Sequence, residues 1–295
     1  MVLSFGLFLW GYGLFLLCFG LFSKGFGPFL MPFGLFSRVF VPFANNCQLN
    51  TTMGITTNIP KHTEKIWYTL KLERSDNNMD KNQLGVQYMQ EGKWEEAARI
   101  FNEVIEENPQ DPIAYINFGN VLSAVGDDEK ALKFYEKAIQ LDENTAAAYY
   151  SAGTIYFSND KFEQAKKMFE TAMKKGLNTS DNYFMLGLTL VQLDQGKFAL
   201  PYLQRSVELN EEDAEARFQY GLCLAQLELI DEAIVQLEKC IELDAEHTDA
   251  YYNLGVSYAF KEKADKALAM FDKALEIQPD HLLAGHAKKL IASAR

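Results

Sequence analysis

An all-α repeat array is the fold that the sequence predicts, and three observations predict it. Gly85, Gly119, Gly153, Gly187, Gly221 and Gly255 recur at a constant spacing of 34 residues, a period that marks a repeat architecture. Twelve residues after each glycine stands an alanine (Ala97, Ala131, Ala165, Ala199, Ala233, Ala267), and four further on a large apolar residue (Phe101, Tyr135, Phe169, Leu203, Leu237, Phe271), with no insertion or deletion in six copies. Within each copy the apolar residues fall three and four apart, the spacing of one helix face. In the second copy Tyr115, Phe118, Leu122, Ala131, Tyr135, Ala138 and Ile139 form one such stripe. A glycine inside a helix costs about 1 kcal/mol against alanine, so its recurrence needs a packing reason. A close crossing of two helix backbones supplies one.

In the sixth copy Tyr251, Leu254, Gly255, Tyr258, Ala267, Phe271, Ala274 and Pro279 stand where the tetratricopeptide repeat pattern wants them, as does Pro109 in the first. The array resembles that family. The resemblance implies a right-handed α-solenoid of six helix-turn-helix units, at 78–111, 112–145, 146–179, 180–213, 214–247 and 248–281, followed by a capping helix within 282–295. The first helix of each unit is expected over about 14 residues and the second over about positions 17 to 30. No unit buries its outer face alone, so neighbours must stack and the ends must be covered. Leu283, Leu290 and Ile291 are placed to cover the last apolar face, with Lys288 and Lys289 solvated. At the other end Lys81 replaces the tyrosine found in four other copies, which suits an exposed start. The fourth copy departs most, with Gly196, Pro201 and Ser206. Because proline removes a helix donor, the weakest joint is expected there.

Residues 1–43 carry a different repeat. Phe5-Gly6-Leu7-Phe8 returns seven residues on as Tyr12-Gly13-Leu14-Phe15 and again as Phe19-Gly20-Leu21-Phe22, and 11 of the 22 phenylalanines lie here. One reading is a membrane anchor, since Met1 to Ser23 is uncharged and long enough to span a bilayer. Lys24 and Arg38 would then hold the array on the cytoplasmic side. The other reading is a mis-annotated extension, a low-complexity tandem, with translation starting at Met79 where the first copy begins. Seven glycines and three prolines within 43 residues oppose a spanning helix, so the start at Met79 is the expectation. N-terminal sequencing of the native protein separates the two. Residues 44–77 are polar and without period, and are expected to be a disordered linker.

The formal charge of -12 is uneven: residues 1–78 hold 6 Lys+Arg and 3 Asp+Glu, the remainder 22 and 37. So acidic a body repels phosphate backbones, and no nucleic-acid partner is expected. Cys18, Cys47, Cys223 and Cys240 match no metal or disulfide spacing. Cys223 and Cys240 fall at small, buried repeat positions and read as reduced core thiols of a cytoplasmic protein. His62, His247, His281 and His286 make no ligand pair at helix spacing. There is no phosphate-cradling loop and no nucleophile motif. The carboxylates of Glu95-Glu96, Asp127-Asp128-Glu129 and Glu211-Glu212-Asp213 precede helices, where they favour the helix dipole. No catalytic residue, metal or cofactor is expected.

The family resemblance implies a concave surface lined by positions 2, 5, 9, 12 and 13 of each first helix. The candidate peptide-binding residues are then Ile116, Tyr150, Phe184, Phe218 and Tyr252 at position 5, Asn120, Thr154, Leu188, Leu222 and Val256 at position 9, and Phe157 at position 12. For position 5, ligand contact and core packing both stay open. Family members that hold chaperone C-terminal carboxylates use basic residues in this groove, and those are missing here. Asp181, Glu215 and Asp249 at position 2 favour a partner with basic flanks. The expected function is a non-enzymatic scaffold or adaptor for an apolar or amphipathic protein or peptide. A membrane-tethered assembly factor and a regulatory subunit of an enzyme complex are the alternatives.

Overall fold

The computed structural model describes residues 80–293, which form thirteen α-helices and no strand. Twelve helices make six pairs: α1 (Lys81–Gln90) with α2 (Trp94–Glu107), α3 (Pro112–Ala124) with α4 (Asp128–Leu141), and α5 (Ala146–Ser158) with α6 (Phe162–Lys174). Then come α7 (Ser180–Gln192) with α8 (Gly196–Leu209), α9 (Ala214–Gln226) with α10 (Ile230–Leu243), α11 (Thr248–Phe260) with α12 (Ala264–Ile277), and a final α13 (Leu282–Ser293). The expectations for residues 1–43, for 44–77 and for a start at Met79 lie outside the described residues. No described helix is long and apolar enough to cross a membrane.

The last position of a unit caps the first helix of the next, except at Thr145, whose hydroxyl makes no cap bond. Asp111, Thr179 and Asp213 accept through their side chains from the backbone N–H groups of Ile113, Asn182 and Ala216 at 2.9, 3.3 and 2.8 Å. In the two C-terminal units the cap is a histidine: Nδ1 of His247 and of His281 accepts from the N–H of Ala250 and Ala284 at 3.2 and 3.0 Å. Each such bond satisfies a donor that a helix start leaves open, worth about 1 kcal/mol. Second helices start differently, with acidic first turns such as Glu95 and Glu96 in α2 and Asp231 and Glu232 in α10, as the dipole favours. Between the two helices of a pair one residue must turn left-handed. Gly92 and Gly126 do this in the first two pairs, whereas Asp160, Asp194, Glu228 and Glu262 do it in the other four with φ between 56° and 62°.

The recurring glycines mark the crossings. A Cβ added at Gly85, Gly119, Gly153 or Gly255 would stand 2.5 to 2.7 Å from the ring of Phe101, Tyr135, Phe169 or Phe271, and one at Gly187 or Gly221 would stand 2.6 or 3.0 Å from Leu203 or Leu237. The large residue of the second helix therefore fills the space that the glycine leaves. The alanine four residues before it is completely buried in every pair.

Each first helix touches the first helix of the next pair, from α1 through α3, α5, α7, α9 and α11 to α13, while successive second helices make no comparable contact. First helices therefore form the inner wall of the solenoid and second helices the outer one. Buried residues run from one pair into the next, as where Phe218, Leu237, Tyr252, Phe271 and Ala284 share one core cluster. At the C-terminal end Ala284 and Ala287 are buried, Leu283 and Ile291 pack over the same cluster, and Lys288 pairs with Asp272 at 2.5 Å. At the other end Lys81 is held by Glu103 and Glu107 of α2 at 3.1 and 2.5 Å.

Candidate peptide-binding wall

Position 5 packs into the core. Ile116, Tyr150, Phe184, Phe218 and Tyr252 are between 4% and 8% exposed and belong to the core clusters. Tyr150 lies 5.7 Å from Phe169 and Tyr252 6.0 Å from Phe271, against the same rings that fill the glycine crossings. Burial pushes the Tyr150 phenol well above its usual range, because desolvation disfavours the charged form. Such side chains form the floor of the wall and offer a ligand little surface. Of the two readings open at this position, the packing favours the core. The physical reason is that each first helix is clasped on several sides, by its own second helix, by the preceding one and by its neighbours in the wall.

Above that floor Asn120, Thr154, Phe157, Leu188, Leu222 and Val256 are half-buried. Their polar atoms are partly committed. Asn120 Oδ1 accepts from the Tyr135 hydroxyl at 2.8 Å. Thr154 Oγ1 donates back to the Tyr150 carbonyl at 3.1 Å. Phe157 is fixed edge-on to Phe162 with centroids 5.5 Å apart. Leu188, Leu222 and Val256 occupy one register on α7, α9 and α11, three helices in contact. They make an apolar strip across consecutive units.

Two histidine–carboxylate pairs edge the wall that sequence reasoning missed. Nε2 of His247 lies 3.5 Å from Glu215 and that of His281 lies 3.2 Å from Asp249. Their rings rest on Phe218 and Tyr252 at 4.4 and 5.3 Å. The signal was present: both histidines end a unit, and each carboxylate stands at position 2, 32 residues earlier. Because Nδ1 accepts from the backbone in both, the neutral ring carries its proton on Nε2, facing the carboxylate.

Chemistry remains sparse. No group of three His, Cys, Asp or Glu suited to a metal occurs among the described residues. Cys223 and Cys240 are fully buried, and burial pushes their thiols up to about 11 and about 12. Neither thiol offers the accessible thiolate that a nucleophile needs.

Tetratricopeptide repeat family models match residues 83–111, 112–175 and 248–281, and a model for anaphase-promoting complex, cyclosome, subunit 3 matches 167–240. Over 41 residues the chain is 56% identical to the TPR repeat-containing protein YrrB of Bacillus subtilis (strain 168), a match spanning 14% of this chain and one fifth (20%) of that protein. The crystal structure of YrrB, described as a TPR protein with an unusual peptide-binding site, aligns with a TM-score of 0.62 at 55% identity over 65% of this chain and 99% of that one. A crystal structure of the MamA protein aligns with a TM-score of 0.54 at 26% identity over 58% of this chain and 93% of that one. The chain belongs to the tetratricopeptide repeat family. It resembles small stand-alone bacterial members of that family.

Proposed function

We propose that the protein is a non-enzymatic interaction scaffold, built of six units from 78–111 to 248–281, that holds an apolar or amphipathic peptide along its inner wall. The observation that carries this reading is the strip of Leu188, Leu222 and Val256, half-buried and in register on contacting first helices, with half-buried Phe157 one turn further along α5. Accessible apolar area in a line across consecutive helices is what an extended or helical peptide needs for its anchors. The peptide-binding site attributed to YrrB supports the same class of function. Basic residues beside the anchors suit a body of net charge -12.

The test must spare the core. Phe184 and Phe218 are buried, and truncating either to alanine removes about 3 to 5 kcal/mol of packing. Leu188→Asp with Leu222→Asp instead changes half-buried positions. Clients captured from native lysate by the full chain are expected to be lost with this pair, while helical content and melting stay close to the parent. Retention of the client by a folded double variant overturns the proposal.

A further inference from the structure

The outer wall carries a feature that the inner strip does not use. Position 4 is tyrosine in four units, and Tyr115 donates its hydroxyl to the carbonyl of Pro109 at 3.3 Å. In the fifth unit Arg217 takes that place and donates from Nε to the carbonyl of Glu211 at 2.9 Å, the residue in Pro109's register. Arginine thus repeats the tyrosine's bond with one of its five N–H groups. A second goes from Nη1 to Gln236 Oε1 at 3.1 Å. The other three have no acceptor among the described residues, and none of the ion pairs there includes this guanidinium. Yet Arg217 is only 7% exposed. Nη2, which has no partner, still reaches solvent, so it is open to an incoming counter-charge.

Arg217 lines a cavity of about 240 Å³ formed by α8, α9 and α10. Around it stand Gln204, Tyr220, Gln236 and Lys239, with the carboxylates of Glu208 and Glu211. Lys239 is in none of the ion pairs among the described residues. Glu208 is already engaged, accepting from Gln204 at 3.0 Å and from Arg205 at 2.9 Å. No residue of the inner strip takes part in this cavity.

We propose that this outer cavity binds a single carboxylate presented by a partner protein, gripped by the unspent fork of Arg217 with Lys239 beside it. A planar guanidinium matches a planar carboxylate in two parallel bonds. The nearby Glu208 and Glu211 penalise a dianionic phosphate more than a monoanion. The partner's carboxylate comes from a chain end or from an acidic side chain, and the test separates these.

The full chain is titrated with N-acetylglycine, which carries a chain-end carboxylate, and with N-acetylglutamate α-amide, which carries a side-chain one. N-acetylglycinamide and N-acetylglutamine amide are the neutral controls. Calorimetry gives the affinity and the Arg217 Nε–H resonance reports the site. A carboxylate probe is expected to bind at least about tenfold more tightly than its neutral control, as a charge-assisted fork requires. The tighter of the two acids identifies the source. Arg217→Tyr installs the residue of the sister units, so the fold should hold while binding is lost. Lys239→Gln, on an exposed position, should weaken binding by less. Equal binding of acid and amide, undiminished binding by Arg217→Tyr, or no binding of either acid overturns the proposal. Glu211→Gln covers the remaining internal alternative. It should tighten the acid, and a loss of melting temperature equal to that of Arg217→Tyr would show that Glu211 is itself the guanidinium's partner.

Discussion

The fourth and sixth helix pairs share one 34-residue register and fill it differently. In α11–α12 the crossing glycine, Gly255, meets the ring of Phe271, and Ala274 occupies the small buried position three residues on. In α7–α8 the ring is replaced by Leu203 and the alanine by Ser206, whose hydroxyl is buried without a partner. Asn182 and Thr189 are likewise completely buried. Thr189 donates to the Met185 carbonyl at 2.6 Å and Asn182 to the carbonyls of Phe169 and Leu177 at 3.3 and 3.0 Å, but Asn182 Oδ1 has no partner. Pro201 lies inside α8 and its side chain is exposed. The helices nevertheless begin and end at the same register positions in both pairs. Stacking against neighbours on two sides lets a locally poor unit persist, so the register sets the path and the side chains set the local stability.

The largest effect that would break this comparison lies in α8. Proline in a helix interior costs about 3 kcal/mol, and a buried unpaired hydroxyl costs about 1 to 3 kcal/mol. Amide hydrogen exchange is expected to be faster in α8 than in α12. Pro201→Ala with Ser206→Ala should slow it by an amount equivalent to at least about 4 kcal/mol. If α8 already exchanges as slowly as α12 in the parent protein, the fourth pair is not the weak joint.

These differences were only partly legible in the sequence. Gly255, Ala267 and Phe271 could be read as a crossing because they repeat at a fixed period and because a mid-helix glycine demands an explanation. Gly196, Pro201 and Ser206 could be read as departures for the same reason. The inner wall was harder. First helices such as α3 and α5 are apolar around most of their circumference, so helical spacing cannot tell which face meets a ligand and which meets the neighbouring unit. That is why Phe184 and Phe218 stood beside Leu188 and Leu222 as equal candidates until burial separated them. Arg217 was visible as a departure from tyrosine, but its unspent donors depend on a cavity between three helices, which no linear pattern records.

A smaller effect sharpens the same contrast at the crossings. At Gly255 a Cβ would lie 2.5 Å from the ring of Phe271, while at Gly187 it would meet Cδ2 and Cγ of Leu203 at 2.6 and 2.7 Å, and both side chains are completely buried. The ring presents three rigidly linked atoms to the added methyl, whereas the smaller leucine can give way by a small rotation of its branch. Overpacking costs about 1 to 3 kcal/mol, and replacing a mid-helix glycine by alanine returns about 1 kcal/mol. Gly255→Ala should therefore destabilise by about 2 kcal/mol and Gly187→Ala by less, about 1 kcal/mol. Denaturant unfolding measures both. Equal losses would mean that the fourth crossing is as rigid as the sixth.

The smallest expected effect separates the two pairs by pH. α7 is capped by Thr179, which does not titrate, and α11 by His247. Burial disfavours the imidazolium of His247, but the hydrogen bond with Glu215 and the negative charges of Glu215, Asp249 and Asp244 outweigh it and raise the group above the ordinary histidine value. A raised folded value means that the fold binds this proton more tightly than the unfolded chain does. The contribution is therefore fully present below about pH 6.5, the unperturbed histidine value, and is lost as pH rises through the folded value. It is small, because a proton on Nδ1 forfeits the bond from the Ala250 N–H, itself worth about 1 kcal/mol. The net gain on acidification should stay below about 1 kcal/mol. Exchange protection of α11 is expected to be slightly higher at about pH 5.5 than at about pH 8 once intrinsic rates are divided out, with α7 unchanged. Glu215→Gln should flatten the difference. Protection of α11 that instead rises with pH would show that the cap, and not the carboxylate, governs this histidine.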